Sequence, residues 1–448
     1  MSAFLDRLRT ALGRAGQPFV LLGNFEVERH WGEGELGLPT FNSPGSDLVV
    51  NRMDEFALTL AGPDDVVVLK SQPDAGYLEY LTSLGLTLPR ILTPAVSNPA
   101  NDVTGDALAD ESLRLLLSRL RDSGAAILPH GISEREERLA ETTGVPLAGP
   151  SAAVAKAVNG KVYSRRLTEE LGLRQPAGRW CDSIDRWREA VTWARDVLAA
   201  GGRVAVKDSF GVSGKGILVI ADAGRLNQLD RMFTSRATRR GTEALGVVVE
   251  EWVEKSADLN YQFTLGRDGA VRVDFVKEAL TESGVHKGHL VPARLGTGVR
   301  EEIEECCRRV GAALATEGFF GVVGVDAMLD PDGRLYPVTE INARNNMSTY
   351  QETLLELLEL TGRTALARHY PVVVPGGVPF AGLRDALGDL LLTDKNASGM
   401  VVNNFATVTA AESGRLYGIL LGSGLDAVRD LDDRLTGVLD EWQKETVA

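Results

Sequence analysis

The stretch GVDAMLDPDGRLYPVTEINARNN, residues 324 to 346, constrains the fold more than any other part of the chain. Asp330-Pro331-Asp332-Gly333 is a strong turn signal between two apolar-rich runs, 321–329 and 335–341, and predicts two strands joined back to back. Side chains alternate along a strand, so Glu340, Asn342 and Arg344 share one face, and Asp326 on the neighbouring strand can project the same way. Two carboxylates and an amide oxygen are hard ligands suited to magnesium on triphosphate oxygens. A guanidinium beside them suits a carboxylate or a transferring phosphoryl group. A surface hairpin with solvated charges is the plain alternative. It does not explain why Asp, Glu, Asn and Arg fall on one alternating face.

A second segment, VAVKDSFGVSGKGILVI (204–220), reads as strand, glycine-rich loop, strand. Gly211, Gly214 and Gly216 interleave with Ser209 and Ser213, and glycines let backbone N–H groups approach phosphate oxygens closely. Lys207 and Lys215 add positive charge. The loop is not a Walker A loop, because its spacing differs and it leads to a strand. Taken alone, the segment fits a glycine-rich hairpin with exposed lysines equally well. A third segment, VVVEEWVEKSADLNYQF (247–263), is an apolar strand ending in an acidic pair and then Trp252 and Val253. It could present backbone groups and apolar cover to a flat base, or simply be a buried strand end.

Composition narrows the partners. The chain has 448 residues, 44% hydrophobic and 25% charged, with a formal charge of −14. Its length calls for more than one packed core. The net charge argues against nucleic acid or an anionic membrane as partner. No apolar run approaches the ~20 residues of a membrane span, and the amphipathic N-terminus lacks the core of a signal peptide. Cys181, Cys306 and Cys307 show no metal-ligand or disulfide spacing, so a cytoplasmic setting is expected.

The first third alternates strand-like runs (19–22, 66–69, 126–128) with helical ones (111–121), which predicts an open α/β sheet. LLGNF is a strand followed by Gly without a dinucleotide fingerprint, so this unit reads as scaffold or substrate wall. The pattern changes near Ala148-Gly149-Pro150-Ser151 to a small-residue helix containing Lys161, and a boundary is placed there. Residues 281–295, TESGVHKGHLVPARL, are expected to form a loop over the reacting centre. His286, Lys287 and Arg294 are candidate substrate or phosphate contacts in it.

Taken in order, these segments resemble the ATP-grasp superfamily over residues ~155 to ~350, where spacing and order agree together. The resemblance implies that Lys161 and Lys207 bind ATP phosphates, with Ser209, Ser213, Gly214 and Lys215 in a lid loop. It implies Glu250 or Glu251 with Trp252 and Val253 at adenine, and Asp258 at the ribose. Asp326, Glu340 and Asn342 would hold two magnesium ions, manganese being an alternative. Arg344 and Lys207, with His286, Lys287 and Arg294, would act at the reacting centre. The expected fold is α/β, with α+β character in the grasp. An N-terminal open α/β pre-ATP-grasp domain (1–150) precedes a two-subdomain ATP-grasp (151–375, lid about 203–265) and a small C-terminal α+β segment (376–448). The arginine that D-alanine–D-alanine ligases carry two residues before the metal Asp is Gly324 here, which speaks against that activity. The chain looks most like bacterial amino-acid and peptide ligases with a pre-ATP-grasp domain. The expected reaction joins an amino-acid carboxylate to an amine through an acyl phosphate, with small-molecule substrates and a homodimer as an open arrangement. A ligase or carboxylase for a non-amino-acid carboxylate, or a nucleotide-binding regulatory protein, are the alternatives.

Overall fold

The computed structural model describes residues 2–39, 45–211, 216–282, 285–394 and 397–447. Its first sheet is built from β1 (Phe19–Leu22), β2 (Val66–Val68), β3 (Arg90–Leu92) and β4 (Ala126–Pro129), all parallel, in the order β3-β2-β1-β4. β1, β2 and β4 are buried along their whole length, which is why they read as continuous apolar runs rather than alternating ones. The helix Glu134–Thr143 behind β4 starts from a capping box, Ser133 with Glu136.

The stretch expected to be a single helix from Ser151 is two, Ala152–Asn159 and Lys161–Glu170, broken at Gly160. Gly160 is extended (φ −76°, ψ 141°), and a Cβ there would come within 2.7 Å of Ser209 Oγ. The break lets the Lys161 N–H donate to the Ser209 carbonyl at 3.0 Å and begins a new helix at the lysine. A glycine inside a helical pattern was the available signal.

A second sheet is antiparallel: β5 (Gly178–Ser183), β6 (Val204–Asp208), β7 (Ile217–Ile220) and β8 (Ala244–Glu251), in the order β5-β8-β6-β7. Helices Ile184–Ala199 and Ala223–Arg240 supply its core, with the fully buried Trp187 and Phe233 edge to face at 4.8 Å. The N-terminal unit reaches this sheet directly. The Gly246 N–H donates to the Leu36 carbonyl (3.2 Å), and the Leu38 N–H donates to Asp208 Oδ1 (2.6 Å).

The third sheet has eight antiparallel strands: β9 (Ala257–Leu265), β10 (Val271–Glu282), β11 (Val285–Val291), β12 (Gly321–Leu329), β13 (Leu335–Asn342), β14 (Thr364–Val372), β15 (Gly399–Asn404) and β16 (Gly414–Gly422). Their order is β13-β12-β9-β10-β11-β14-β16-β15. β9 thus pairs within this sheet, although its residues fall inside the range expected for the lid. β15 and β16 of the C-terminal segment extend the same sheet through β14. The segment expected as a loop around 281–295 is instead largely strand, β11 pairing with β10 and β14.

The helix Thr297–Thr316 packs against this sheet, burying Ile303, Cys306, Cys307, Val310 and Leu314 against Tyr261 and Phe263. Burial raises all three cysteine thiols, Cys181 to about 12 and Cys306 to about 11, so they pack as small apolar groups. Among the described residues no helix is long and apolar enough to cross a membrane.

Candidate functional site

The hairpin of β12 and β13 forms in the register its sequence demands. Asp326 lies directly opposite Glu340, and Gly324 opposite Asn342. Asp326 Oδ1 accepts from Asn260 Nδ2 of β9 at 2.8 Å, and Oδ2 accepts from Asn342 Nδ2 at 3.3 Å. Glu340 Oε1 accepts from Lys161 Nζ at 2.7 Å, and the same ammonium donates to the Gly211 carbonyl at 2.8 Å. Lys161 therefore ties the start of its helix, the root of the glycine loop and the acid face to one point. A side chain at position 324 would have to displace the Asn346 amide, since a Cβ on Gly324 would lie 2.4 Å from Asn346 Nδ2.

The electrostatics of this face are unbalanced. Burial raises both Asp326 and Glu340; Lys161 pulls each back, and Glu340 is raised further by Asp326 and Glu28. Burial alone would lower Lys161, but Glu340, Glu28 and Asp326 outweigh it and its pKa is raised. The acids thus have less positive charge beside them than they need, as a site built for a further cation would. Among the described residues no group of three or more His, Cys, Asp or Glu side chains is gathered for a metal. The candidate magnesium set is therefore two carboxylates and one amide, to be completed by triphosphate oxygens and water. Asp326 and Glu340 fit that role. The Asn342 Oδ1 already accepts from Arg344 Nη2 at 2.9 Å, so it would ligate only if that contact opened.

Arg344 is the most heavily connected group in the site. Its Nε donates to Glu28 Oε1 at 2.9 Å, its Nη2 also pairs with Glu28, and its Nη1 donates to the Asn345 carbonyl at 2.9 Å. Nη1 also faces His130 Nε2 at 3.5 Å. His130 is held far below the usual histidine range, first by burial and then by Arg344, so it is neutral. With Nε2 as acceptor, the Nδ1–H is the donor to Tyr350 Oη at 2.9 Å. Glu28 follows β1 and His130 follows β4, so both lie just beyond the carboxyl ends of parallel strands, where open α/β sheets bind ligands. Sequence reasoning passed over both. The strand-then-glycine of LLGNF was the only local hint for Glu28.

Lys207 pairs with Glu250, whose other oxygen lies 3.4 Å from Arg165 Nη1. A narrow cleft opens here between the second and third sheets. Lys161, Arg165, Lys207 and Glu250 provide its charged wall, with Val248 and Val338 facing inward from the two sheets. Arg165 was not foreseen; it sits four residues after Lys161 on the same helix face. Ser209 is buried at the loop root, its N–H donating to the Gly246 carbonyl at 2.8 Å.

The other candidate residues are more scattered. Trp252 and Val253 do not line this cleft. The Glu251 and Trp252 N–H groups donate to the Ala177 and Arg203 carbonyls at 2.8 and 2.9 Å. Asp258 accepts from Lys255 at 2.5 Å. Arg294 is exposed, and its ion pair is with Glu278 of β10 at 3.7 Å, not with a member of the Lys161–Glu340 cluster. Ser213, Gly214 and Lys215 lie outside the described residues, as do the side chains of His286 and Lys287.

Comparison with known proteins places this geometry. The Pre ATP-grasp domain family matches residues 53–145. The butirosin acyl-carrier protein–L-glutamate ligase of Niallia circulans is 26% identical over 315 residues, 70% of this chain and 68% of that protein. An ADP complex of N5-carboxyaminoimidazole ribonucleotide synthetase superposes with a TM-score of 0.56 at 14% identity, covering 96% of this chain and 98% of that one. A biotin carboxylase from Campylobacter jejuni superposes with a TM-score of 0.55 at 12% identity, covering 95% and 91%. The chain has the ATP-grasp fold, preceded by a pre-ATP-grasp domain. Within that fold the names of the matches differ. One sequence relative is named as an L-glutamate ligase, and the two superposed structures are named as a carboxyaminoimidazole ribonucleotide synthetase and a biotin carboxylase.

Proposed function

We propose that this chain is an ATP-dependent enzyme that phosphorylates a carboxylate-type oxyanion, either a carboxylic acid or bicarbonate, and passes the activated carbonyl to a nitrogen nucleophile. One observation carries this reading: Asp326, Glu340, Lys161 and Arg344 converge beside a cleft walled by the cations Lys207 and Arg165.

A carboxylate does not react with an amine unaided, because its leaving group would be oxide. Transfer of the γ-phosphoryl group breaks the bond to ADP and forms a P–O bond to the carboxylate. The amine then adds at the carbonyl carbon, the C–O bond to phosphate breaks, and a proton leaves the nitrogen. Lys207 and Arg165 would hold the phosphates, Lys161 would sit where charge develops during transfer, and Arg344 would orient the acid. Magnesium held by Asp326 and Glu340 would neutralise triphosphate oxygens. No protein nucleophile is required, and the buried, proton-bound cysteines offer none.

The superposed carboxylases favour an acid other than an amino acid, and the N. circulans relative supports an amino acid as the second reading. Phosphate release should be measured with bicarbonate, simple carboxylic acids and amino acids, each with and without amine, using hydroxylamine to trap acyl phosphate as hydroxamate. Acid-dependent release supports the proposal, and the acid that drives it decides between the two readings. ATP turnover indifferent to every acid would leave a regulatory nucleotide-binding protein as the better description.

A further inference from the structure

The Arg344 guanidinium is carried by a short connection between β13 and the helix Met347–Leu357, and its place depends on how that connection is seated. Gly324 of β12 lies between Asn342 of β13 and Gln262 of β9, directly opposite both, so the three positions face the same way. Only the outer two carry side chains. The gap is filled from outside the sheet. The Asn346 amide lies over Gly324, with Nδ2 2.4 Å from where a Cβ would stand, and donates to Gln262 Oε1 at 3.2 Å. Thr349 Oγ1 donates to the same oxygen at 2.5 Å. Gln262 is fully buried, and its Nε2 donates onward to Asp274 Oδ2 at 3.0 Å.

Each amide in this chain of contacts has its orientation fixed by its neighbours. Asn346 Oδ1 accepts from the N–H groups of Ser348 (2.9 Å) and Thr349 (3.3 Å) at the start of the helix, so only Nδ2 can face Gln262. That turns Gln262 Oε1 toward Asn346 and leaves Nε2 for Asp274. One side chain thus caps the helix through its oxygen and ties the connection to the sheet through its nitrogen. A cap needs only the first. Asn345 is tied to the other side, its N–H donating to the His130 carbonyl (3.1 Å) and its Nδ2 to the Pro129 carbonyl (3.2 Å). Resting on the reading that Arg344 acts on the acid, we infer that Asn346 and Gln262 are positioning residues for the reaction, with Gly324 giving the amide its place. Together they set where the Arg344 guanidinium stands relative to Asp326 and Glu340. They touch no reacting atom themselves, and their effect on rate is through alignment.

Asn346→Ser separates the two roles, because serine still caps a helix but is too short to reach Gln262. Gly324→Ala should displace the same amide from below. Lys277 Nζ, which donates to the Ser348 carbonyl at 3.1 Å, keeps the helix start in place in both variants. Turnover is measured with the acid that drives phosphate release by wild type, alongside affinity for a non-hydrolysable ATP analogue. Each variant should lose roughly tenfold in kcat, with analogue affinity within about twofold of wild type. The double variant should be no worse than either alone, since serine vacates the space that the new methyl group needs. Full kcat in Asn346→Ser, or losses that multiply in the double variant, would leave Asn346 a helix cap only and overturn the inference. Loss of analogue affinity along with kcat would make the contact a support of the whole fold and overturn it equally. A second readout needs no acid: the rate at which phenylglyoxal modifies Arg344, followed by peptide mass. Modification should be several-fold faster in Asn346→Ser than in wild type. If no acid drives turnover by wild type, faster modification keeps the positioning and removes the ligase reading. An unchanged rate removes the positioning whatever the turnover shows.

Discussion

Two acid clusters lie within this fold, and they are built differently. One surrounds Asp102 in the N-terminal unit. Asp102 accepts from His30 Nε2 (2.7 Å), Arg135 Nη1 (3.1 Å) and the Gly105 N–H (2.6 Å). Beside it, Lys70 Nζ pairs with Asp106 at 2.7 Å and donates to the carbonyls of Asn98 and Asn101. Every one of these partners belongs to the N-terminal unit. Burial would raise Asp102, but His30 and its other donors prevail and its pKa is lowered. The other cluster, Asp326 with Glu340 and Glu28, draws its cations from elements far apart in sequence, Lys161 and Arg344. Asp326 and Glu340 are raised because those cations do not fully offset burial. A closed cluster stabilises one unit. An incompletely compensated cluster assembled across units is prepared to receive charge from outside.

If that distinction holds, the largest effect should follow from neutralising an acid of the open cluster. Glu340→Gln is nearly isosteric, so the fold should survive, at reduced stability because the buried Lys161 loses its charged partner. Turnover should fall by on the order of a hundredfold or more, because the metal and the developing charge both lose a partner. Near wild-type turnover at limiting magnesium would remove Glu340 from the site.

Arg344→Lys comes next. The ammonium keeps the charge but cannot hold Glu28 and Asn342 together as the planar fork does, so a substrate acid would meet a displaced charge. The variant should bind the ATP analogue normally yet give roughly tenfold less hydroxamate in the trapping assay. Equal hydroxamate yields would show that Arg344 serves only to join the N-terminal unit to β13. Lys207→Ala should be milder, since Arg165 remains beside Glu250. A several-fold weaker analogue affinity by titration calorimetry is expected, on the order of 1 kcal/mol. Unchanged affinity would take Lys207 out of the phosphate wall.

The open cluster was legible in the sequence to the extent that it is local. Asp326, Glu340, Asn342 and Arg344 lie on one hairpin whose turn residues and period-two alternation are both written in the chain. Lys161 and Lys207 were named through the resemblance to the ATP-grasp superfamily, and the structure brings both to the walls of the cleft. Glu28 and His130 were not, because each is a polar residue in the connection that follows a buried strand, Glu28 on the short helix Val27–Trp31, and acquires meaning only when the N-terminal sheet docks against Arg344. The break at Gly160 was missed for a related reason: the tight approach of Ser209 that requires it is a tertiary contact. The open α/β sheet was readable from alternating apolar runs. The joining of β15 and β16 to the large sheet was not, because strand order depends on pairing between distant segments.

The smallest effect on catalysis is expected from Glu26, an unpartnered acid near the closed cluster but not held by its donors. Its side chain is buried, and neither carboxylate oxygen has a hydrogen-bond partner from another residue. Burial first, then the nearby charges of Asp102 and Asp54, raise its pKa from 4.5 to about 8, with Lys70 pulling the other way. The folded state thus prefers the proton-bound acid more than the unfolded chain does. The resulting stabilisation is complete below about pH 4.5 and is lost as pH rises toward 8, at up to roughly 1 kcal/mol per pH unit. Glutamine keeps the shape and cannot ionise, so Glu26→Gln should unfold with wild type near pH 5 and at a higher temperature near pH 8. Turnover at saturating substrate should match wild type at both pH values. The measurement is the difference in thermal midpoint between the two proteins across that range. A difference independent of pH would mean that Glu26 stays ionised when folded. A fall in turnover with no change in midpoint would mean that the two acid clusters are one, and that the N-terminal acids take part in the chemistry after all.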